Sequence, residues 1–98
     1  MMAAYELSRV ARVDLAGIYE YGITNFGSEQ AHKYLLELEE SFQVLENNVE
    51  LGRNASELAI GLRSFTIGSH IIFYLPLTNR ILIVRVLGQS MDVARHLE

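Results

Sequence analysis

Two arginines lie within the apolar, β-rich last third of the chain. Arg63 opens the run Arg63-Ser64-Phe65-Thr66-Ile67-Gly68-Ser69-His70-Ile71-Ile72-Phe73-Tyr74, and Arg85 interrupts Ile81-Leu82-Ile83-Val84-Arg85-Val86-Leu87, which leads on to Met91-Asp92. A guanidinium fixed on a sheet can stabilise negative charge that develops during a reaction, or it can grip a partner. Cleavage by proton transfer would need such cations and also a general base and a general acid. The imidazoles available are His32, His70 and His96. His70 adjoins a Gly-Ser turn and reads as a solvated strand residue rather than a base, and His96 lies in the tail. Arg85 in an apolar strand reads equally as one half of an ion pair, with Asp92 or Glu57 as the acid, or as a snorkelling side chain. Three scattered histidines and no cysteine give no zinc site, and no cofactor motif is present. The acids of the second helix read as a solvated face. The balance favours gripping over cleaving.

The elements that must hold these residues follow from periodicity. Ala3-Ala4-Tyr5-Glu6-Leu7 alternates and predicts a short strand. Ser8 is placed to cap a helix over residues 9 to 25 whose core face is Ala11, Leu15 and Ile18, and Gly27 suits a left-handed position after it. Ser28 restarts a helix with Glu29 in its first turn and an apolar stripe of Ala31, Leu35, Leu38, Phe42 and Leu45. So short a linker makes the two helices an antiparallel hairpin. Tyr19 and Tyr21 serve either as packing at the helix–sheet seam or as exposed anchors for a partner. Residues 48 to 61 read as a loop with a helical turn near Ser56-Glu57-Leu58. Strands are predicted at 62 to 67, 70 to 75 and 80 to 87, joined by Gly68-Ser69 and by a second turn from Pro76 to Asn79. The fold class is α+β, a helical hairpin on a small antiparallel sheet, in one domain spanning residues 1 to 98.

Charge narrows the partners. The net charge of −4 is uneven: residues 1 to 61 carry four basic and ten acidic side chains, residues 62 to 98 four arginines and two acids. Proteins that hold nucleic acid through its phosphates present a dense basic patch, whereas Lys33 is the single lysine here, so nucleic-acid binding by the isolated chain is not expected. Nothing approaches the ~20 apolar residues of a membrane span, which makes a cytoplasmic protein with no membrane partner the expectation.

One ordered set of residues carries a resemblance. Leu7-Ser8, Asp14-Leu15 with Ile18 and Tyr21, Gly27 with Ala31, Glu50 with Gly52-Arg53, Gly61-Leu62-Arg63-Ser64-Phe65, Ile71 with Phe73-Tyr74, Ile83 with Arg85-Val86-Leu87, and Met91-Asp92 run nearly the whole length. No single motif is specific, but in this order and spacing the chain resembles the ParE toxins of the RelE/ParE superfamily of type II toxin–antitoxin systems. The resemblance implies a β-α-α-β-β-β fold and either of two activities, ribosome-dependent cleavage of messenger RNA in RelE-like members or poisoning of DNA gyrase in ParE-like ones. Many relatives place a histidine after Arg-Val-Leu, where this chain has Gly88 and Gln89, and Asp-Pro after the methionine, where it has Asp92-Val93.

The expectation is therefore a non-enzymatic toxin that binds gyrase and is neutralised, as a hetero-oligomer, by a ParD-like or other short, partly disordered antitoxin. The antitoxin is expected to lie across the hairpin and sheet and to meet the C-terminal strand. The alternatives are the ribonuclease and a non-toxic homologue that still binds an antitoxin. Target binding is assigned to Arg63, Phe65, Arg85, Met91, Asp92 and Arg95, expected to gather at one end of the sheet. Truncation after Leu87 is expected to remove toxicity and leave the core folded.

Overall fold

The computed structural model describes residues 5 to 97. Strand β1 (Tyr5–Leu7) leads through Ser8 into α1 (Arg9–Phe26), and α2 (Ser28–Asn47) follows. Then come β2 (Arg53–Asn54), β3 (Arg63–Ile67), β4 (His70–Leu77), β5 (Arg80–Gly88) and a short helix, α3 (Val93–His96). The expected opening residues Ala3 and Ala4 lie outside the described residues.

The helix signals act as read, with two corrections. The Ser8 hydroxyl accepts the Ala11 N–H at 2.9 Å and donates to the Val84 carbonyl at 2.7 Å, so one side chain both caps α1 and ties it to β5. Gly27 has φ 90° and ψ 160°, positive in φ but outside the left-handed helical region, which lets the chain reverse in a single residue. Gly27 is itself the N-cap of α2, and Ser28 is already helical. Gly22 explains how closely the hairpin packs: a Cβ there would lie 2.9 Å from that of Ala31.

The sheet order is β1-β5-β4-β3-β2. The β3, β4 and β5 pairings are antiparallel, with Gly68 at φ 54° in the first hairpin turn and Asn79 at φ 67° in the second. The sheet is nonetheless mixed, because β1 pairs in parallel with β5, Tyr5 opposite Ile81. It also gains β2, whose two residues pair with Ser64 and Arg63. Pro76 lies inside β4 opposite Ile81 rather than in the turn. The β3 pairing stops at Tyr74, so the N–H that proline lacks would have faced no strand.

The sheet packs on both faces. Against the hairpin, Leu38, Phe42 and Leu45 of α2 meet Ile72, Tyr74, Ile81 and Ile83, all fully buried, and each contributes about 1.5–3 kcal/mol by leaving water. On the opposite face Leu62, Phe73 and Leu87 are covered by Ala55 and Leu58 of the loop and by Val93 and Leu97 of the tail.

Candidate interaction site

Register decides where Arg85 goes. Phe73 pairs with Arg85 but Tyr74 pairs with Ile83, so Val84 is an extra residue and β5 bulges. Ile83 and Val86 face the hairpin, Val84 and Leu87 face the tail, and Arg85 reaches α1. Its Nε and Nη2 donate to Asp14 at 2.8 and 2.9 Å, and its Nη1 donates to the His96 carbonyl at 2.7 Å. Asp14 also accepts the Val86 N–H at 3.0 Å. The side chains are only 18% and 12% exposed. These hydrogen bonds to Asp14 hold the guanidinium above its usual pKa. The acid is therefore Asp14, 71 residues away in sequence, and neither Asp92 nor Glu57.

Asp92 instead begins α3: its carboxylate accepts the Arg95 N–H at 3.4 Å. Val93 takes the first helical position, which would also suit proline, and packs on the second core face. Met91 folds back so that its sulfur accepts the Gly88 N–H at 3.2 Å while its side chain stays exposed. Arg95 is exposed. A Cβ on Gly88 would touch only Met91, at 3.6 Å. Because Val93 and Leu97 cover Leu62, Phe73 and Leu87, truncation after Leu87 would strip a core face as well as the tail.

Arg63 is held elsewhere. Its Nη2 donates to the Gly52 and Glu50 carbonyls at 2.6 and 3.1 Å, and its Nε is buried without a partner. The buried Tyr74 hydroxyl clasps the same loop, donating to Val49 O at 2.7 Å and accepting from Gly52 N–H at 2.9 Å. Phe65 packs into the hairpin-side core. Thus Arg85, Met91, Asp92 and Arg95 belong to the tail end of β5, whereas Arg63 and Phe65 are two strands away on β3.

A second feature was only partly legible. His70 is half-buried rather than solvated, its Nδ1 2.7 Å from the Tyr34 hydroxyl, and burial lowers its pKa. It stands where two depressions meet: one of about 580 Å³ between α1 and the Leu87–Met91 turn, and one of about 290 Å³ between the helices and Ser69. They share Ile18, Tyr21, Ser69 and His70. Tyr21 is 64% exposed and lies edge-on to the equally exposed Phe26, so it does not pack at the helix–sheet seam. The available signal was Val13, Gly17 and Tyr21, four residues apart and off the core face of α1.

Among the described residues no cluster of three or more His, Asp or Glu side chains could hold a metal. No described helix is long and apolar enough to cross a membrane.

The comparisons agree with this architecture. The chain is 38% identical to Toxin ParE1 of Caulobacter vibrioides over 96 residues, covering 98% of this chain and 99% of that one. It is 37% identical to Toxin ParE1 of Mycobacterium tuberculosis over 98 residues, covering 99% and 100%. A solved structure titled as the chromosomal ParDE TA system from P. aeruginosa shares the fold, with a TM-score of 0.76 over 89% of this chain and 96% of that one at 24% identity. The profile of the ParE toxins of type II toxin–antitoxin systems matches residues 5–93, and the chain belongs to that family.

Proposed function

We propose that this ParE-family toxin inhibits DNA gyrase by binding it rather than by catalysis, in the cytoplasm, and that a cognate ParD-like antitoxin neutralises it in a hetero-oligomer. The observation that carries the reading is the internal engagement of both sheet guanidiniums. Arg85 is held by Asp14 and the His96 carbonyl, and Arg63 by the 50–52 loop. A phosphoryl-transfer centre needs cations free to meet a developing phosphorane charge. In this fold those positions fasten a helix, a tail and a loop.

The contact surface then falls to what Arg85 and Asp92 hold in place, the exposed Met91 and Arg95. Methionine and arginine are enriched at interface cores. Arg63 and Phe65 support the sheet from within. The P. aeruginosa neighbour is described as a ParDE system, which favours an antitoxin partner of the ParD kind. The two-residue β2 edge and the three-residue β1 edge would accept a flexible segment by strand addition.

The test is induced expression of Arg95→Glu and Met91→Ala in a host lacking the antitoxin. Both variants should keep the wild-type melting temperature and lose growth inhibition. Full toxicity of both would remove the tail from the target contact. Site-specific cleavage of translated messages, abolished by Arg85→Ala in a folded variant, would replace the gyrase reading with the ribonuclease.

A further inference from the structure

The most exposed large apolar side chain among the described residues is Ile60, at 95%. It lies in the loop between β2 and β3, and that loop is pinned rather than slack. Ala55 and Leu62, 3% and 2% exposed, anchor its ends. Ala55 N–H donates to the Leu62 carbonyl at 2.8 Å, Leu58 N–H to the Ala55 carbonyl at 2.9 Å, and Leu62 N–H to the Ala59 carbonyl at 3.0 Å. Directly after Ile60, Gly61 takes φ 79°, a turn that a side chain would strain. A Cβ on Gly61 would lie 3.8 Å from Leu75, so the loop stands against the end of β4, where Pro76 and Leu77 are exposed.

Isoleucine is branched at Cβ and has few rotamers. Held on a fixed backbone, Ile60 has little freedom left to lose when a partner covers it, so its removal from water counts almost fully towards binding.

We propose that Ile60 is a second anchor for the target protein, entering an apolar socket rimmed by carboxylates. The proposal rests on the reading above that the chain acts by binding a target. Two observations assign the loop to that partner. The first is continuity: Leu58 and Leu75, which flank Ile60, join the same apolar cluster as Val93 and Leu97 of the tail. The loop therefore extends, on one sheet face, the surface that presents Met91 and Arg95. The second is charge. Residues 51 to 97 carry five arginines against Glu57 and Asp92, whereas residues 5 to 50 carry three basic and nine acidic side chains. Arg53, which leads into the loop, and Arg95 have no acid within ion-pair distance among the described residues. A surface edged with carboxylates is drawn to this side and repelled by the helical hairpin. Two copies meeting through Ile60 would set arginine against arginine, which disfavours a second copy as the occupant.

The experiment titrates wild type, Ile60→Ala, Ile60→Glu and Ile60→Lys into the supercoiling reaction of purified gyrase. Growth inhibition, antitoxin affinity, plasmid binding, oligomeric state and melting temperature are recorded for each. All variants should melt within about 3 °C of wild type, as substitutions at an exposed site do. Ile60→Ala should need about tenfold more protein for half-inhibition and Ile60→Glu at least about a hundredfold. Ile60→Lys should fall between them, because its charge suits the rim that glutamate repels. Antitoxin affinity should stay within about threefold. Wild-type inhibition by folded Ile60→Glu would overturn the proposal, as would a loss for lysine as large as that for glutamate. Antitoxin binding lost with inhibition kept would give the loop to the antitoxin, and a wild-type dimer broken by Ile60→Glu would give it to a second copy. Plasmid binding by the isolated chain, lost in Ile60→Glu, would give it to nucleic acid. Each of these three outcomes also overturns the proposal. If wild type stops growth without inhibiting gyrase, the gyrase reading fails alone: growth inhibition lost in Ile60→Glu then supports the anchor, and growth inhibition kept overturns it. A chain that inhibits neither overturns both.

Discussion

Removing the Asp14 carboxylate should break the three hydrogen bonds that fasten α1 to β5. Asp14→Ala leaves Arg85 with the His96 carbonyl alone and leaves the Val86 amide without its acceptor. Breaking a buried pair costs about 3–5 kcal/mol, and an orphaned amide adds about 1–3. The pair retains 18% and 12% exposure, so water partly re-solvates what is left and the expected loss is about 3 kcal/mol. For a domain this small that corresponds to a melting temperature lower by about 15 °C. The assay is thermal and urea unfolding of wild type, Asp14→Ala, Arg85→Met and the double variant Asp14→Leu/Arg85→Met. The double variant should recover part of the loss, because two apolar side chains leave no uncompensated charge. A loss below about 1 kcal/mol for Asp14→Ala, the range of surface pairs, would refute the reasoning.

The same contacts yield further expectations. Tyr74→Phe removes a buried hydroxyl that joins Val49 and Gly52, and should cost about 2 kcal/mol in urea unfolding with increased proteolysis in residues 48 to 54. Gly17→Ala should raise stability by about 1 kcal/mol while Gly22→Ala lowers it, since only the latter meets Ala31, and calorimetry separates the two. Burial lowers the pKa of His70 from its usual value near 6.5, so folding favours the neutral imidazole. The unfolded chain binds its proton more tightly, so this contribution is present above about pH 6.5 and is lost as pH falls from there through the folded value. The melting temperature of wild type should therefore fall more steeply between roughly pH 7 and 5 than that of His70→Gln. Parallel slopes would contradict it.

Most of the fold was legible because its signals are local. Ser8, the Ala11-Leu15 face, the stripe ending in Leu45 and the Gly68 turn each act within a few residues. What escaped was short or remote. The two residues of β2 and the four of α3 are too few to show a period, although Asp92 followed by Arg95 and His96 carries a capping pattern. The parallel pairing of β1 with β5 joins the ends of the chain, and alternation within a strand says nothing about its neighbour's direction. Arg85 stood out as a cation in an apolar strand, but its acid could not be found by proximity because the Val84 bulge sends it to α1. The candidate site divided for a related reason. Arg63 and Phe65 share the sheet with Arg85, yet their strand lies beyond β4 and their side chains are occupied by a loop and the core.

The most direct measurement is supercoiling of relaxed plasmid by purified gyrase with ATP while the toxin is titrated, scored for inhibition and for trapped cleaved DNA. Inhibition with trapped cleavage by wild type, weakened in folded Arg95→Glu and relieved by the antitoxin, is the predicted result. Unimpaired supercoiling at micromolar concentrations of folded toxin would contradict the account.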